Sequence, residues 1–193
     1  MEVKLSCECG LVRGKVVDYS PQNANRIYCY CKDCRRFPEV LGVSDRVVDS
    51  DGGTEIIQVP MNSVHVEQGM DQIRCLHLKE GGLFRWYSEC CKTPLGNTLD
   101  GKMPFFGIIH SFLEPMDMKE SALGPVMGLV HTQSALNPPK QKKHYKGKFS
   151  ILFTVVSRLL KWKYQKLHQP SCFFEANGLP VVKPEIKAGP IQS

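Results

Sequence analysis

Three clusters of cysteine constrain this chain more than any other feature. Cys7 and Cys9 flank Glu8 and are followed by Gly10. Cys29, Cys31 and Cys34 form a second group, and Cys90 and Cys91 are adjacent in a third; Cys75 and Cys172 stand alone. The cysteines number 9 in 193 residues, below the roughly 8–10% of a disulfide scaffold. The number is odd, and the opening Met1-Glu2-Val3-Lys4-Leu5 lacks an apolar signal core. We therefore expect a cytoplasmic protein in a reducing setting, where clustered cysteines read as metal or catalytic ligands.

A chain of this length suggests one domain, or one domain with an appendage, and can bury a core without disulfides. Hydrophobic residues at 42% and charged residues at 23% are ordinary for a globular protein. No apolar run approaches the roughly 18 residues of a membrane span.

The formal net charge of +6 is unevenly placed. From Ser121 to Phe174 there is no Asp or Glu, while Lys140, Lys142, Lys143, Lys146, Lys148, Arg158, Lys161, Lys163 and Lys166 all fall there. The basicity belongs to the C-terminal part, so the main domain is not expected to bind nucleic acid as a polyanion.

The first ~115 residues read as short strands broken by turns. Val12–Val17, Arg26–Tyr30, Thr54–Val59, the alternating Val64 and Val66, and Phe105–Phe112 are strand candidates. Ile73–Leu78 and Leu83–Tyr87 flank Lys79-Glu80-Gly81-Gly82 as a hairpin, and Asp51-Gly52-Gly53 is a turn signal. Such a pattern predicts a mainly β fold of coiled or sandwiched sheets. Asn137-Pro138-Pro139 marks a break. We divide the chain into a β domain over 1–136 and, over 137–193, a basic linker, an amphipathic helix and a Pro-rich tail.

Within that second part Phe149–Leu167 reads as helical, with Leu152, Val156, Leu159, Leu160 and Leu167 near one face. That face predicts packing on the domain. A sharper reading makes 140–168 a basic amphipathic segment for a membrane surface or an acidic partner.

A Cys-x-Cys pair on an extended strand puts both thiols on one face, and side-chain rotation can bring both sulfurs to a zinc at about 2.3 Å. Gly10 lets the chain turn around the ion. Cys29, Cys31 and Cys34 can give three thiolates to one ion, which leaves the fourth position open, as in a reactive zinc. A closed structural zinc with a distant fourth ligand, or a dithiol redox pair, would use the same residues. Lys32, Arg35 and Arg36 would favour thiolates. Asp33 could cap the turn or act as a base near the metal. Cys75 reads as a small buried hydrophobe and Cys172 as an incidental thiol. No spacing selects His77 or His110. Trp86, Phe105 and Phe106 read as core.

Taken together, the three clusters resemble the glutathione-dependent formaldehyde-activating enzyme / centromere protein V superfamily over roughly residues 5–113. The matching motifs are Cys7-Glu8-Cys9-Gly10, then Cys29 to Arg35, then Arg85-Trp86-Tyr87-Ser88-Glu89-Cys90-Cys91-Lys92-Thr93-Pro94-Leu95. The third departs from the pattern. Ser88 stands where that family has a cysteine, Cys90 stands at a variable position, and Lys92 replaces a glycine, as in an uncharacterised divergent branch.

The resemblance implies a β-tent of several coiled antiparallel sheets around a structural zinc, here with a C-terminal helical extension. It implies that Cys7, Cys9 and Cys91 hold that zinc, with Cys90, Ser88 or a water as fourth ligand. A second zinc would take Cys29, Cys31 and Cys34 and act on the adduct of glutathione, or another small acidic thiol, with an aldehyde. That is carbon–sulfur lyase chemistry of the S-hydroxymethylglutathione synthase kind. The alternative is a non-catalytic zinc module that binds a protein or other ligand.

Overall fold

A computed structural model describes residues 1–115, 120–140 and 142–187. In chain order its elements are β1 (Val3–Ser6), β2 (Arg13–Val16), β3 (Asn25–Cys29), α1 (Lys32–Val40), α2 (Ser44–Val47), β4 (Thr54–Pro60), β5 (Val64–Gln68), β6 (Ile73–His77), β7 (Phe84–Ser88), β8 (Pro94–Thr98), β9 (Phe105–Ile109), α3 (Glu120–Leu123), β10 (Gly128–Val130), α4 (Lys148–Tyr164) and β11 (Glu185–Ile186). The mainly β expectation holds. The strands form a three-stranded sheet, β1-β2-β5, and an eight-stranded sheet, β10-β3-β4-β9-β8-β7-β6-β11.

The inner strands of the large sheet are antiparallel, but its two edges, β10 on β3 and β11 on β6, are parallel. The expected antiparallel pairing runs through the inner strands, and the two edges add parallel pairs. Both edge strands come from the later chain, returning after long excursions, and such connections place no constraint on strand direction. β6 and β7 form the predicted antiparallel hairpin, with Cys75 opposite Trp86. At the Asp51-Gly52-Gly53 turn, Asp49 Oδ1 accepts from the N–H groups of Asp51 and Gly53 at 2.9 and 2.7 Å. A Cβ on Gly53 would stand 2.5 Å from the Tyr30 ring, so only glycine fits there.

Alternation along the strands of the large sheet serves two cores. One face packs Ile57, Val59, Trp86, Phe106 and Ile108 against the small sheet. The other packs Ile27, Ile56, Leu76, Tyr87 and Ile109 against Phe37 of α1 and Val47 of α2. The first core is completed by Phe173 and Phe174 from beyond α4; the Phe173 ring stacks on Phe106 at 4.4 Å and lies 5.0 Å from Trp86. Trp86 is fully buried in that core.

α4 lies on the domain, but by a different face from the one expected. Ile151 and Trp162 are buried, whereas Leu152, Val156 and Leu160 point to solvent. Polar anchors decide the orientation. Trp162 Nε1 donates to Asn23 Oδ1 at 3.1 Å, and Arg158 donates to Asn25 Oδ1 at 2.7 Å and to the carbonyls of Gln22 and Ala24. A leucine count sees only apolar periodicity and misses a tryptophan and an arginine that each need a buried acceptor. Among the described residues no helix is long and apolar enough to cross a membrane.

Candidate metal centres

The first centre is assembled from two turns. Cys7 directly follows β1, and Cys7 to Gly10 form a turn rather than the extended strand expected. The Gly10 N–H bonds the Cys7 carbonyl at 2.9 Å, with Gly10 at φ +75°, a conformation glycine adopts without cost. The Val12 N–H donates to Cys7 Sγ at 3.2 Å. From the other side, β7 ends at Ser88 and the chain turns through Glu89 to Lys92, with Lys92 at φ +57°.

These turns bring four sulfurs together. Cys7 Sγ lies 3.6 Å from Cys9 Sγ and 3.8 Å from Cys90 Sγ; Cys90 Sγ lies 3.2 Å from Cys9 Sγ and 3.8 Å from Cys91 Sγ. All four fall within 4.8 Å of one another. Sulfurs each about 2.3 Å from a tetrahedral zinc would be about 3.8 Å apart, so the cluster has the size and donor chemistry of a closed four-thiolate site. Of the three fourth-ligand alternatives, Cys90 is the one gathered in. Adjacent side chains diverge in a strand, but Cys90 and Cys91 lie in a turn, where that rule does not apply. The Ser88 hydroxyl, fully buried, accepts from the Thr93 N–H at 3.0 Å and contacts Cys91 Sγ at 3.3 Å.

The surroundings brace this pair of turns. Thr93 Oγ1 accepts from the Glu8 N–H at 3.1 Å and contacts Cys91 Sγ at 3.1 Å. Arg46 of α2 pairs with Glu8 and reaches the Cys91 carbonyl. Burial pushes the Cys7 thiol up and the Cys90 thiol up to about 12. Burial also works against ionisation of Cys91, but hydrogen bonds from Ser88, Thr93 and the Cys9 and Thr93 N–H groups outweigh it and bring that thiol down to about 6.

The second centre gathers Cys29, Cys31 and Cys34, whose sulfurs also lie within 4.8 Å of one another. Cys29 ends β3. Cys31 is the N-cap of α1, and its Sγ accepts from the Cys34 N–H at 3.3 Å. The cap expected of Asp33 is therefore made by a cysteine sulfur, and Asp33 sits in the first helical turn. Hydrogen bonds from the Cys29 and Cys34 thiols hold the Cys31 thiol far below its ordinary value, while Cys29 is driven up by the same contacts and by burial. The cap sulfur also lies at the positive end of α1, which favours its thiolate form.

Arg85 is a basic neighbour of this triad. Arg35 instead donates to the Ser134 carbonyl at 3.1 Å, and Lys32 is exposed. Arg85, on β7, is 2% exposed; its guanidinium lies 5.5 Å from the Phe37 ring centre, with Nη2 4.0 Å from Asp33 Oδ2. Its field favours the thiolates of both Cys31 and Cys34. Its Nη1 has no hydrogen-bond partner among the described residues, and neither has Nδ2 of Asn97. Asn97 is the cross-strand partner of Arg85 on β8, so the two share a face of the sheet. The sequence carried a signal for Arg85: a cation inside Phe84-Arg85-Trp86-Tyr87 sits in an apolar strand that water does not reach.

The other residues weighed from sequence lie outside both clusters. Cys75 is 1% exposed, and burial pushes its thiol up to about 12. Cys172 approaches the Val64 carbonyl. His77 Nδ1 contacts the Leu83 carbonyl at 3.1 Å, and His110 is half-buried, with burial lowering its pKa. All nine cysteines are free thiols.

A family model described as a family of unknown function, DUF6151, matches residues 1–185. No curated protein matches. A solved structure of a Rhodobacter sphaeroides protein, a structural-genomics target, is 17% identical, with 66% of this chain and 99% of that one covered and a TM-score of 0.44.

Proposed function

The chain belongs to the DUF6151 family, and we propose that it is a zinc protein with a closed structural site at Cys7, Cys9, Cys90 and Cys91 and an open, reactive one at Cys29, Cys31 and Cys34. The reaction we assign is addition of a thiol to an aldehyde, or its reverse, as the resemblance to the glutathione-dependent formaldehyde-activating enzymes implies. In the forward direction a carbon–sulfur bond forms, the carbonyl π bond breaks, and one proton passes from sulfur to oxygen. No oxidant or reductant is needed. Cysteines held outside disulfides suit a reducing compartment, so we infer a cytoplasmic protein.

The observation that carries this reading is a three-sulfur cluster beside a buried guanidinium whose Nη1 has no partner among the described residues. A structural zinc takes four protein ligands and a catalytic one keeps a position free. Bound at the triad, zinc would supply a Lewis acid and a docking point for a sulfur or oxygen atom of the adduct. The Cys34 N–H fixes the Cys31 sulfur. The Phe37 ring lies 5.5 Å from the Arg85 guanidinium, and Nη1, unpaired among the described residues, is suited to a substrate oxygen or carboxylate. Glutathione, with a thiol and two carboxylates, fits these requirements, as do other small acidic thiols.

One observation favours a second reading, the non-catalytic zinc module. Thr54, whose hydroxyl donates to the Cys34 carbonyl at 3.3 Å, Phe37 and Arg85 bring no acid or base that works near neutrality, and Asp33 is shared between Arg85 and Lys79. Metal content and NMR decide between the readings. The enzyme reading expects two zincs per chain, one after Cys31→Ala, and faster exchange between glutathione plus formaldehyde and their adduct with the parent protein. Two bound zincs with no acceleration would leave the module.

A further inference from the structure

We propose that the outward face of α4 docks this protein on an anionic phospholipid bilayer. This inference is independent of the metal centres. Phe149, Leu152, Phe153, Val156, Leu160 and Tyr164 are 89, 60, 77, 44, 64 and 91% exposed. At about 100° per residue they fall within an arc of about 120° on one side of the helix. A stripe of this size, with three aromatic rings, is unusual on a surface in contact only with water.

The opposite face cannot exchange with it. Ile151 and Trp162 are buried, Trp162 Nε1 is held by Asn23, and Arg158 donates to Gln22, Ala24 and Asn25. Turning the stripe inward would carry Trp162 and Arg158 out to solvent and leave the buried Ala24 carbonyl and Asn25 Oδ1 without their donor. α4 is therefore amphipathic in an inverted sense: its polar anchors and its tryptophan face the domain, and its phenylalanines face outward.

Charge selects the occupant. Lys140, Lys142, Lys143, Lys146 and Lys148 precede or open the helix, and Lys161, Lys163 and Lys166 close it; all eight are exposed. No acidic residue occurs between Ser121 and Phe174. Lysine clusters at both ends of an aromatic stripe match the headgroup and acyl boundary of an anionic bilayer, where the rings enter the interface and the ammonium groups meet lipid phosphates and carboxylates. A second copy on the same face would bring lysines against lysines with no carboxylate between them.

The test is sedimentation of the full chain with vesicles of phosphatidylserine and phosphatidylcholine, and with phosphatidylcholine alone, at about 0.15 M salt. We expect binding to the mixed vesicles, weakened by added salt, and little binding to the neutral ones. Phe149→Ser with Phe153→Ser should reduce the partition coefficient about tenfold or more with an unchanged thermal melt. Lys142→Glu with Lys143→Glu should reduce it on anionic vesicles only. Equal binding by parent and both variants, or no binding to anionic vesicles, overturns the proposal. So does a parent dimer in solution that the phenylalanine variant dissociates, or binding to polyglutamate without binding to vesicles.

Discussion

Cys90 Sγ stands 3.2 Å from Cys9 Sγ, across 81 positions of sequence. The contact exists because the chain leaves β7 at Ser88 and turns with Lys92 in a left-handed conformation. Two adjacent cysteines can then both face the Cys7–Gly10 turn, and the buried Ser88 hydroxyl braces the turn.

This arrangement separates Cys90 from Ser88 by experiment. Cys90→Ser should lose one metal ion per chain and melt far lower, since structural zinc is worth about 10–16 kcal/mol in peptides, as much as a whole domain's stability. Ser88→Ala should keep the metal and cost about 1–3 kcal/mol through the orphaned Thr93 N–H. Elemental analysis with thermal melts reads both. Full metal in Cys90→Ser together with loss in Ser88→Ala would reverse the ligand assignment.

Alkylation provides a second check. Burial pushes Cys75 up to about 12 and leaves it 1% exposed, and burial pushes Cys172 up to about 11. At pH 8 almost no thiolate exists at either. Iodoacetamide followed by peptide mass mapping should leave both unmodified in the folded chain, while chelation exposes Cys9, already at the surface, to rapid labelling. Rapid labelling of Cys75 in a folded protein would contradict its placement.

What the sequence made legible, and what it hid, follows from where each signal lies. β4 and the β6–β7 hairpin were readable because their β-branched runs and glycine turns are local. β8 was missed because Pro94 and Gly96 are poor strand residues, and this strand depends on burial between β7 and β9. Both cysteine groupings could be anticipated from spacing and resemblance. The choice among Cys90, Ser88 and a water could not, because it depends on a backbone angle at Lys92. The helix in 148–164 was readable from its period, but not which face turns inward, since that depends on acceptors at Asn23 and Asn25 far away in sequence.

The α4 orientation has its own stability test. Trp162→Ala should cost about 3–5 kcal/mol, the usual range for truncating a buried aromatic. Leu160→Ala and Leu152→Ser, on the outer face, should stay within about 0.5 kcal/mol of the parent. Urea denaturation measures all three. If the leucine variants unfold early and Trp162→Ala does not, the helix packs by its leucine face after all.

Arg85 offers the sharpest test of the open site. Its guanidinium is buried beside the Cys29–Cys31–Cys34 cluster, with Nη2 near Asp33 and Nη1 unpaired among the described residues. If it served only to balance thiolate charge, a lysine would do the same work. If Nη1 instead holds an oxygen of the bound adduct, the charge alone is not enough, because a shorter ammonium cannot reproduce the planar fork. Arg85→Lys should then keep two metal ions and the parent melting temperature while glutathione binding, measured by calorimetry, weakens about tenfold, the worth of one charge-assisted hydrogen bond. Arg85→Met should lower stability as well, since it leaves the thiolates without their buried cation, although Asp33 is half-exposed and softens the loss. Parent-like glutathione affinity in Arg85→Lys would reduce Arg85 to a counter-charge and remove the anion from the substrate requirement.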